Sequence, residues 1–274
     1  MSLRSLLPLL AALLLAGGCA SKPEREMTER EIYEDARKNL DRGNFETAQT
    51  RLQELEARFP FGRYSGQAQL DMMYAQMRGV DYPGAAVTAA RFLRQNPGHP
   101  QADYVLYIKG LANYWLQSGV LERRSPTDPA LRDLAHLREA FADFSALVSR
   151  YPDSVHAPDA RARMLHIRHL LAAQEVATAW YYVRRGACVG AIRRAQSVLE
   201  NFPTAPATAD ALAISGECWR RLGERATGER YAAALALNFP GHPRLGIDGS
   251  LNVPEGRHAE GPSWLGIVSF GLLD

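Results

Sequence analysis

The stretch Gly43-Asn44-Phe45-Glu46-Thr47-Ala48-Gln49-Thr50-Arg51-Leu52-Gln53-Glu54-Leu55-Glu56-Ala57-Arg58-Phe59-Pro60 decides the fold. Phe45, Ala48, Leu52 and Leu55 follow one another at steps of three, four and three, which is one face of an α-helix. Pro60 lies where the helix must stop, because proline cannot continue the hydrogen-bond ladder and pushes the residue before it out of the helical region. Gly43 stands just before the helix, where a left-handed backbone is cheap for glycine and suits a tight turn from a preceding helix.

The same grammar recurs at Pro97, Pro152, Pro203 and Pro240, with Asn96, Tyr151, Phe202 and Phe239 before them. Twelve residues before the five prolines lie Ala48, Ala85, Ala140, Ala191 and Gly228, all small enough to let a neighbouring helix come close. Eight before lie Leu52, Ala89, Phe144, Ala195 and Ala232, and five before lie Leu55, Phe92, Leu147, Val198 and Leu235. Fifteen before lie Phe45, Tyr82, Leu137, Cys188 and Arg225; seventeen before, Gly43, Gly186 and Gly223 recur in three of the five copies. Each copy is preceded by a second apolar stripe: Ile32, Tyr33, Ala36 and Leu40; Leu70, Met73, Tyr74 and Met77; Leu106, Gly110, Leu111 and Tyr114; Leu165, Ala172, Val176, Ala177 and Trp180, a longer helix; and Leu212, Ser215, Trp219 and Leu222.

A helix–turn–helix unit with small, aromatic and proline residues at fixed offsets is the tetratricopeptide pattern, nominally about 34 residues long. The prolines are separated by 37, 55, 51 and 37 residues, so the third and fourth units are enlarged. The expected fold is all-α, a right-handed superhelical solenoid of about five tetratricopeptide-like repeats over 28–240, with units near 28–62, 63–100, 101–153, 154–204 and 205–242. The competing reading, an unrelated helical bundle with fortuitous proline spacing, does not account for agreement at four offsets in five copies. The insertion Gln117–Asp133 reads as a surface loop, and 241–274, rich in glycine, as an extended or disordered tail in which Trp264, Leu265, Ile267, Val268 and Phe270 are free to dock.

At 274 residues with 46% hydrophobic and 23% charged residues, the chain is long enough for a sizeable core and too apolar to be wholly disordered. A formal charge of +2 gives no electrostatic case for nucleic-acid binding. Residues 1–18 carry Arg4, a short apolar run from Leu6 to Ala16, and small residues before Cys19, the layout of a secretory signal. Leu14-Leu15-Ala16-Gly17-Gly18-Cys19 resembles a bacterial lipobox, with Ala16 where leucine is usual. The alternative is an ordinary cleaved signal with an incidental cysteine. Under the lipobox reading Cys19 is the first mature residue and carries a covalent lipid, diacylglycerol plus an N-acyl chain, enough for stable anchoring where one chain is marginal. Residues 19–27 form a short tether. Ala20 in the following place resembles lipoproteins sorted to the outer membrane.

No enzymatic motif is present: there is no Gly-rich phosphate loop, no HExxH and no GxSxG. No cofactor is expected. His166 and His169 are three apart on one helix but lack a third metal ligand. Cys188 and Cys218 fall on core positions of consecutive repeats; two separate buried thiols or a disulfide are both compatible with an oxidising compartment. Arg184, Arg185, Arg193 and Arg194 cluster around Gly186, either as a solvated face or as a charged partner site.

Particular residues go further than the repeat grammar. Phe59-Pro60-Phe61-Gly62-Arg63-Tyr64-Ser65, Gln69-Leu70-Asp71, Tyr74-Ala75, Asn96-Pro97-Gly98-His99-Pro100, Asp103-Tyr104-Val105, Gly110-Leu111, Ala140-Phe141-Ala142-Asp143-Phe144, Tyr151-Pro152-Asp153-Ser154 and Tyr181-Tyr182 before Arg185-Gly186-Ala187 resemble the BamD (ComL) family. These are lipoproteins of the outer-membrane β-barrel assembly machinery. The resemblance runs from Cys19 to about Pro240. It implies a non-enzymatic scaffold, lipid-anchored at the periplasmic face of the outer membrane, with the barrel-forming subunit, accessory lipoproteins and unfolded β-barrel substrates as partners. It implies further that Tyr64, with Phe61, Arg63 and Tyr74, lines a pocket for a substrate's targeting signal. Arg185 and Arg194 are implied to contact the periplasmic domains of the barrel-forming subunit. The Glu122-Arg123-Arg124-Ser125-Pro126 loop, Cys188 after Arg-Gly-Ala and the tail depart from the family. Two other readings compete: another envelope tetratricopeptide lipoprotein, such as a pilotin or a peptidoglycan-enzyme adaptor, and a cell-wall enzyme, for which no nucleophile or carboxylate pair is apparent.

Overall fold

The computed structural model describes residues 26–116, 133–246 and 251. Among them are ten α-helices and no strand: α1 Glu29–Asp41, α2 Phe45–Arg58, α3 Ser65–Arg78, α4 Tyr82–Gln95, α5 Ala102–Trp115, α6 Ala135–Arg150, α7 Ala157–Arg184, α8 Cys188–Asn201, α9 Thr208–Arg221 and α10 Arg225–Asn238. The signal segment with Cys19, the loop 117–132 and residues 252–274 lie outside the described residues. The described chain falls into two compact units, up to Ala75 and from Gln76, with the division inside α3.

The helices follow the sequence grammar closely. α2, α4, α6, α8 and α10 each end two residues before their proline. The capping residues Phe59, Asn96, Tyr151, Phe202 and Phe239 donate their N–H to the carbonyls of Leu55, Phe92, Leu147, Val198 and Leu235. These five residues are also the buried positions five before proline, so one residue fills the core and receives the last helical bond. At the other end of the chain Thr28 closes a capping box on α1: its hydroxyl accepts from the Glu31 N–H at 3.3 Å and its own N–H donates to Glu31 Oε2 at 2.8 Å.

Four of the interhelical turns share one hydrogen-bond pattern. Gly43, Gly186 and Gly223 have φ of 77°, 73° and 90°, and donate to Leu40, Val183 and Arg220, while the residues after them donate to Asn39, Tyr182 and Trp219. This is the Schellman arrangement, which satisfies the last carbonyls of the first helix. The second repeat makes the same turn without glycine: Val80 has φ of 64° and donates to Met77, and Asp81 donates to Gln76. A β-branched residue in the left-handed region is strained, and the surrounding helix pair holds it there.

In the N-terminal unit Ile32 and Ala36 of α1 and Leu52 and Leu55 of α2 pack with Ala68 and Met72 of α3. In the C-terminal unit each helix from α4 to α10 packs on the next, and α7 packs on α9 as well as α8. That is the tetratricopeptide arrangement, in which a pair is covered by the first helix of the following pair. The small positions twelve before proline are buried without exception, and two glycines explain how tightly. A Cβ on Gly228 would lie 2.7 Å from the Gly216 carbonyl, so α9 and α10 cross where neither tolerates a side chain. A Cβ on Gly110 would lie 2.5 Å from Cε1 of the fully buried Phe144, whose burial contributes about 1.5–3 kcal/mol.

Three stripe residues are exposed: Tyr74 on α3, Leu165 on α7 and Leu222 at the cap of α9. Two described residues beyond Pro240, Arg244 and Leu251, lie against the preceding helices. Leu251 is buried with Ala209, Ala213 and Leu235 and bridges Leu245. Arg244 places its guanidinium 3.9 Å from the Trp180 ring centroid. No helix among the described residues is long and apolar enough to cross a membrane.

Candidate functional site

Tyr64 sits in the turn that links α2 to α3. Gly62 donates to the Phe59 carbonyl at 3.0 Å, and the Gly62 carbonyl accepts from the Ser65 N–H and hydroxyl. A side chain at Gly62 would collide with the Glu29 carboxylate, which is there to accept the Tyr64 N–H at 2.8 Å. The first turn of α1 therefore fixes the backbone of Tyr64, and α1 fixes its ring as well. Tyr64 stacks on Tyr33 with centroids 4.6 Å apart and planes 17° from parallel.

Tyr33 is anchored beneath. Its hydroxyl donates to Oδ2 of the buried Asp71 at 2.9 Å, and Asp71 Oδ1 accepts from Arg37 Nη1 at 3.2 Å and Gln67 Nε2 at 3.1 Å. Burial, then the Asp71 charge and hydrogen bond, push the Tyr33 phenol up to about 12. The same carboxylate raises the pKa of Arg37, chiefly through its charge. A carboxylate taken out of water needs such partners, and here they come from two helices.

The other members of the expected pocket are exposed. Phe61 is 99% exposed, so it does not pack between repeats, and Arg63 is exposed beside it. Tyr74 is 39% exposed and meets Phe45 edge-on at 6.3 Å. It lies ten residues from Tyr64 along α3, about 15 Å at the helical rise. The structure thus brings Tyr64 together with Tyr33, Glu29 and Asp71, not with Tyr74. Periodicity assigned Tyr33 to the core stripe and passed over Asp71; the available signal was a charged residue inside Leu70-Asp71-Met72-Met73, all four buried.

The basic residues lie on the C-terminal unit. Arg185 caps α7 in the Schellman turn, with its guanidinium 5.5 Å from the Tyr181 ring centroid and its Nε donating to the Tyr181 hydroxyl at 3.2 Å. Arg194 on α8 donates through Nη1 to both carboxylate oxygens of Glu175 on α7, at 3.0 and 3.3 Å, and that hydrogen bond raises its pKa. Tyr182 lies against Gly190, where a Cβ would be 3.3 Å from its ring. Part of the Tyr-Tyr…Arg-Gly-Ala motif is therefore turn chemistry, and Tyr181, Arg185 and Arg194 are the exposed remainder. The sequence marks Tyr181 through its motif but not Glu175, whose partner Arg194 lies on another helix. Among the described residues no three His, Cys, Asp or Glu groups are placed to hold a metal ion, and His166 instead leans toward Tyr114, with centroids 6.1 Å apart.

The comparisons with known proteins point one way. The outer membrane lipoprotein family YfiO matches residues 25–235. A Vibrio cholerae protein named outer membrane protein assembly factor BamD is 36% identical over 231 residues, 84% of this chain and 96% of the relative. Proteins of the same name from Xylella fastidiosa and Pasteurella multocida are 32% and 33% identical over 86% and 84% of this chain, covering 82% and 88% of their own lengths.

Proposed function

The chain belongs to the YfiO family of outer membrane lipoproteins, and from that premise we propose that it is a non-enzymatic subunit of the β-barrel assembly machinery. The observation that carries this is the match to relatives named outer membrane protein assembly factors over more than four fifths of the chain. Those relatives lend no support to a pilotin or peptidoglycan-enzyme adaptor.

In this reading Cys19 carries the diacylglycerol and N-acyl lipid and holds the helical repeats at the periplasmic face of the outer membrane. The stacked Tyr33–Tyr64 pair, flanked by the exposed Phe61 and Arg63, receives the targeting signal of an unfolded β-barrel protein. A short extended segment ending in an aromatic residue suits such a surface, because rings offer large contact area at low entropic cost. Tyr74 lies further along α3 and would contact the same segment only if it ran about 15 Å along the helix. Arg185 and Arg194 face an acidic patch on the periplasmic domains of the barrel-forming subunit, where charge fixes register and speeds encounter. Accessory lipoproteins complete the assembly.

The test is an affinity pull-down from detergent-solubilised envelope with a C-terminally tagged chain, run beside Arg194→Glu. Recovery of an integral barrel protein with periplasmic domains, lost in the variant, is the expected result. Recovery of pilus or cell-wall proteins instead would overturn the assignment.

A further inference from the structure

Cys188 and Cys218 are both buried, 4% and 0% exposed, and both belong to the core cluster formed by α7, α8 and α9. α8 and α9 are joined by the short turn 202–207 and pack along their lengths, so they run antiparallel. Climbing from that turn, the core residues of the two helices occur at matching levels: Ala195 with Ala211, Ile192 with Ile214, and Cys188 with Cys218. The register places one thiol opposite the other within the same sealed core. Neither thiol is bonded in the structure.

Nothing in the scaffold or recognition roles uses this pair. Two isolated buried thiols behave as small apolar groups. Two at the same level of neighbouring antiparallel helices, facing one core, are brought to the place where a disulfide between those helices would form. In an oxidising compartment such pairs form and persist.

We propose that Cys188 and Cys218 form an intramolecular disulfide that pins α8 to α9. The inference rests on the periplasmic placement given under Proposed function for the oxidising environment, though not for the geometry. The oxidant is a protein or small-molecule disulfide. One cysteine, as its thiolate, attacks a sulfur of that disulfide, giving a mixed disulfide and releasing one oxidant thiol. The second cysteine attacks the first, forming the Sγ–Sγ bond and releasing the other oxidant thiol. Two electrons and two protons pass from the pair to the oxidant, which is reduced to its dithiol form. Because the folded pair is sealed from solvent, the exchange takes place while the α8–α9 hairpin is formed and its apolar face is not yet covered by α7.

The bond has a second consequence for the same region. Arg185 sits on the α7–α8 corner and Arg194 two turns along α8, and a cross-link from the first residue of α8 to α9 would hold that corner against fraying.

The experiment is a peptide map of the full-length lipidated chain, isolated from envelope with free thiols alkylated under denaturing conditions, and digested by trypsin without reductant. Cleavage after Arg185, Arg193, Arg194 and Arg220 isolates each cysteine on its own peptide, Gly186–Arg193 and Ala195–Arg220. A second sample is reduced, unfolded and refolded in mixed reduced and oxidised glutathione before the same map. The expected result is one linked pair of peptides in both samples, separating on reduction. Both peptides alkylated in both samples would overturn the disulfide. Linked peptides after refolding but alkylated peptides from the envelope would overturn the periplasmic placement while leaving the pairing intact. A Cys218→Ala chain, in which Gly186–Arg193 should return alkylated, excludes pairing of Cys188 with any other thiol.

Discussion

Tyr64 and Arg194 are held in opposite ways. Tyr64 stands on the core of its unit: Glu29 fixes its backbone, Tyr33 lies under its ring, and Asp71 anchors Tyr33 from a buried position. Arg194 stands on the rim, 46% exposed, with its one visible carboxylate partner reached from outside the core. The difference separates two kinds of proposed recognition surface. At the first, shape is set by the same contacts that hold α1 against α3, so the site and the fold stand or fall together. At the second, charge is added to a scaffold that is complete without it.

The sharpest way to break that contrast is to remove the anchor. Asp71→Ala leaves the Tyr33 hydroxyl without its carboxylate and removes a charge-assisted bond of the kind that contributes about 1.5–3 kcal/mol. Arg37 is half-exposed, so its share of the ion pair is small. A loss of about 2–3 kcal/mol is expected, read as a lower urea midpoint with unchanged slope, together with loss of the Tyr64 surface for peptide. Asp71→Asn, which still accepts from Tyr33, should lose less. A wild-type midpoint in Asp71→Ala would mean the site is not built on the core.

Proton linkage gives a second handle on the same anchor. The Tyr33 phenol is raised from 10.0 to about 12, so the folded state keeps its proton where the unfolded state has lost it. The contribution is complete below pH 10 and is lost as pH climbs from 10 through about 12. Denaturation midpoints measured across that window should fall more steeply for the wild type than for Tyr33→Phe. Equal slopes would mean that the Tyr33 phenol is neither withdrawn from water nor held by Asp71.

The contrast also explains what was legible in the sequence. Helix faces, helix ends and most turns are local, and Phe45, Ala48, Leu52, Leu55 and Pro60 announce them through spacing alone. The Tyr64 site is not local. Tyr33 and Asp71 are 38 residues apart and Glu29 and Tyr64 are 35 apart, so no periodicity links them. Only the buried charge of Asp71 among apolar neighbours hinted at it. Val80 was hidden for the converse reason: the turn needs a left-handed residue there, but valine carries no mark of it, and packing imposes what glycine announces in the other three copies. Leu165 and Leu222 misled because an apolar residue at helical spacing is not always on the buried face.

At the rim the expected effects on stability are smaller. Arg185 rests on Tyr181 through a cation–π contact and one hydrogen bond, both exposed. Arg185→Ala should lower stability by at most about 0.5–1 kcal/mol. Its effect on capture of the barrel-forming subunit should be much larger, and should grow weaker as salt is raised and charge is screened. A variant that loses stability and partner in parallel would place Arg185 in the scaffold.

Phe61 sets the lower limit of the comparison, because it belongs to the anchored region by position and to the rim by contact. It is 99% exposed, in a turn whose hydrogen bonds run through Gly62 and Ser65 and not through its side chain. Phe61→Ala should shift the midpoint by less than about 0.5 kcal/mol, as for surface positions generally. Binding of a peptide that ends in an aromatic residue, followed by fluorescence anisotropy, should nevertheless weaken by about tenfold, the scale of one lost aromatic contact. Unchanged peptide affinity in Phe61→Ala, with affinity lost in Tyr64→Ala, would confine recognition to the Tyr33–Tyr64 stack. Unchanged affinity in both would remove the signal pocket from this face while leaving the anchored core as it stands.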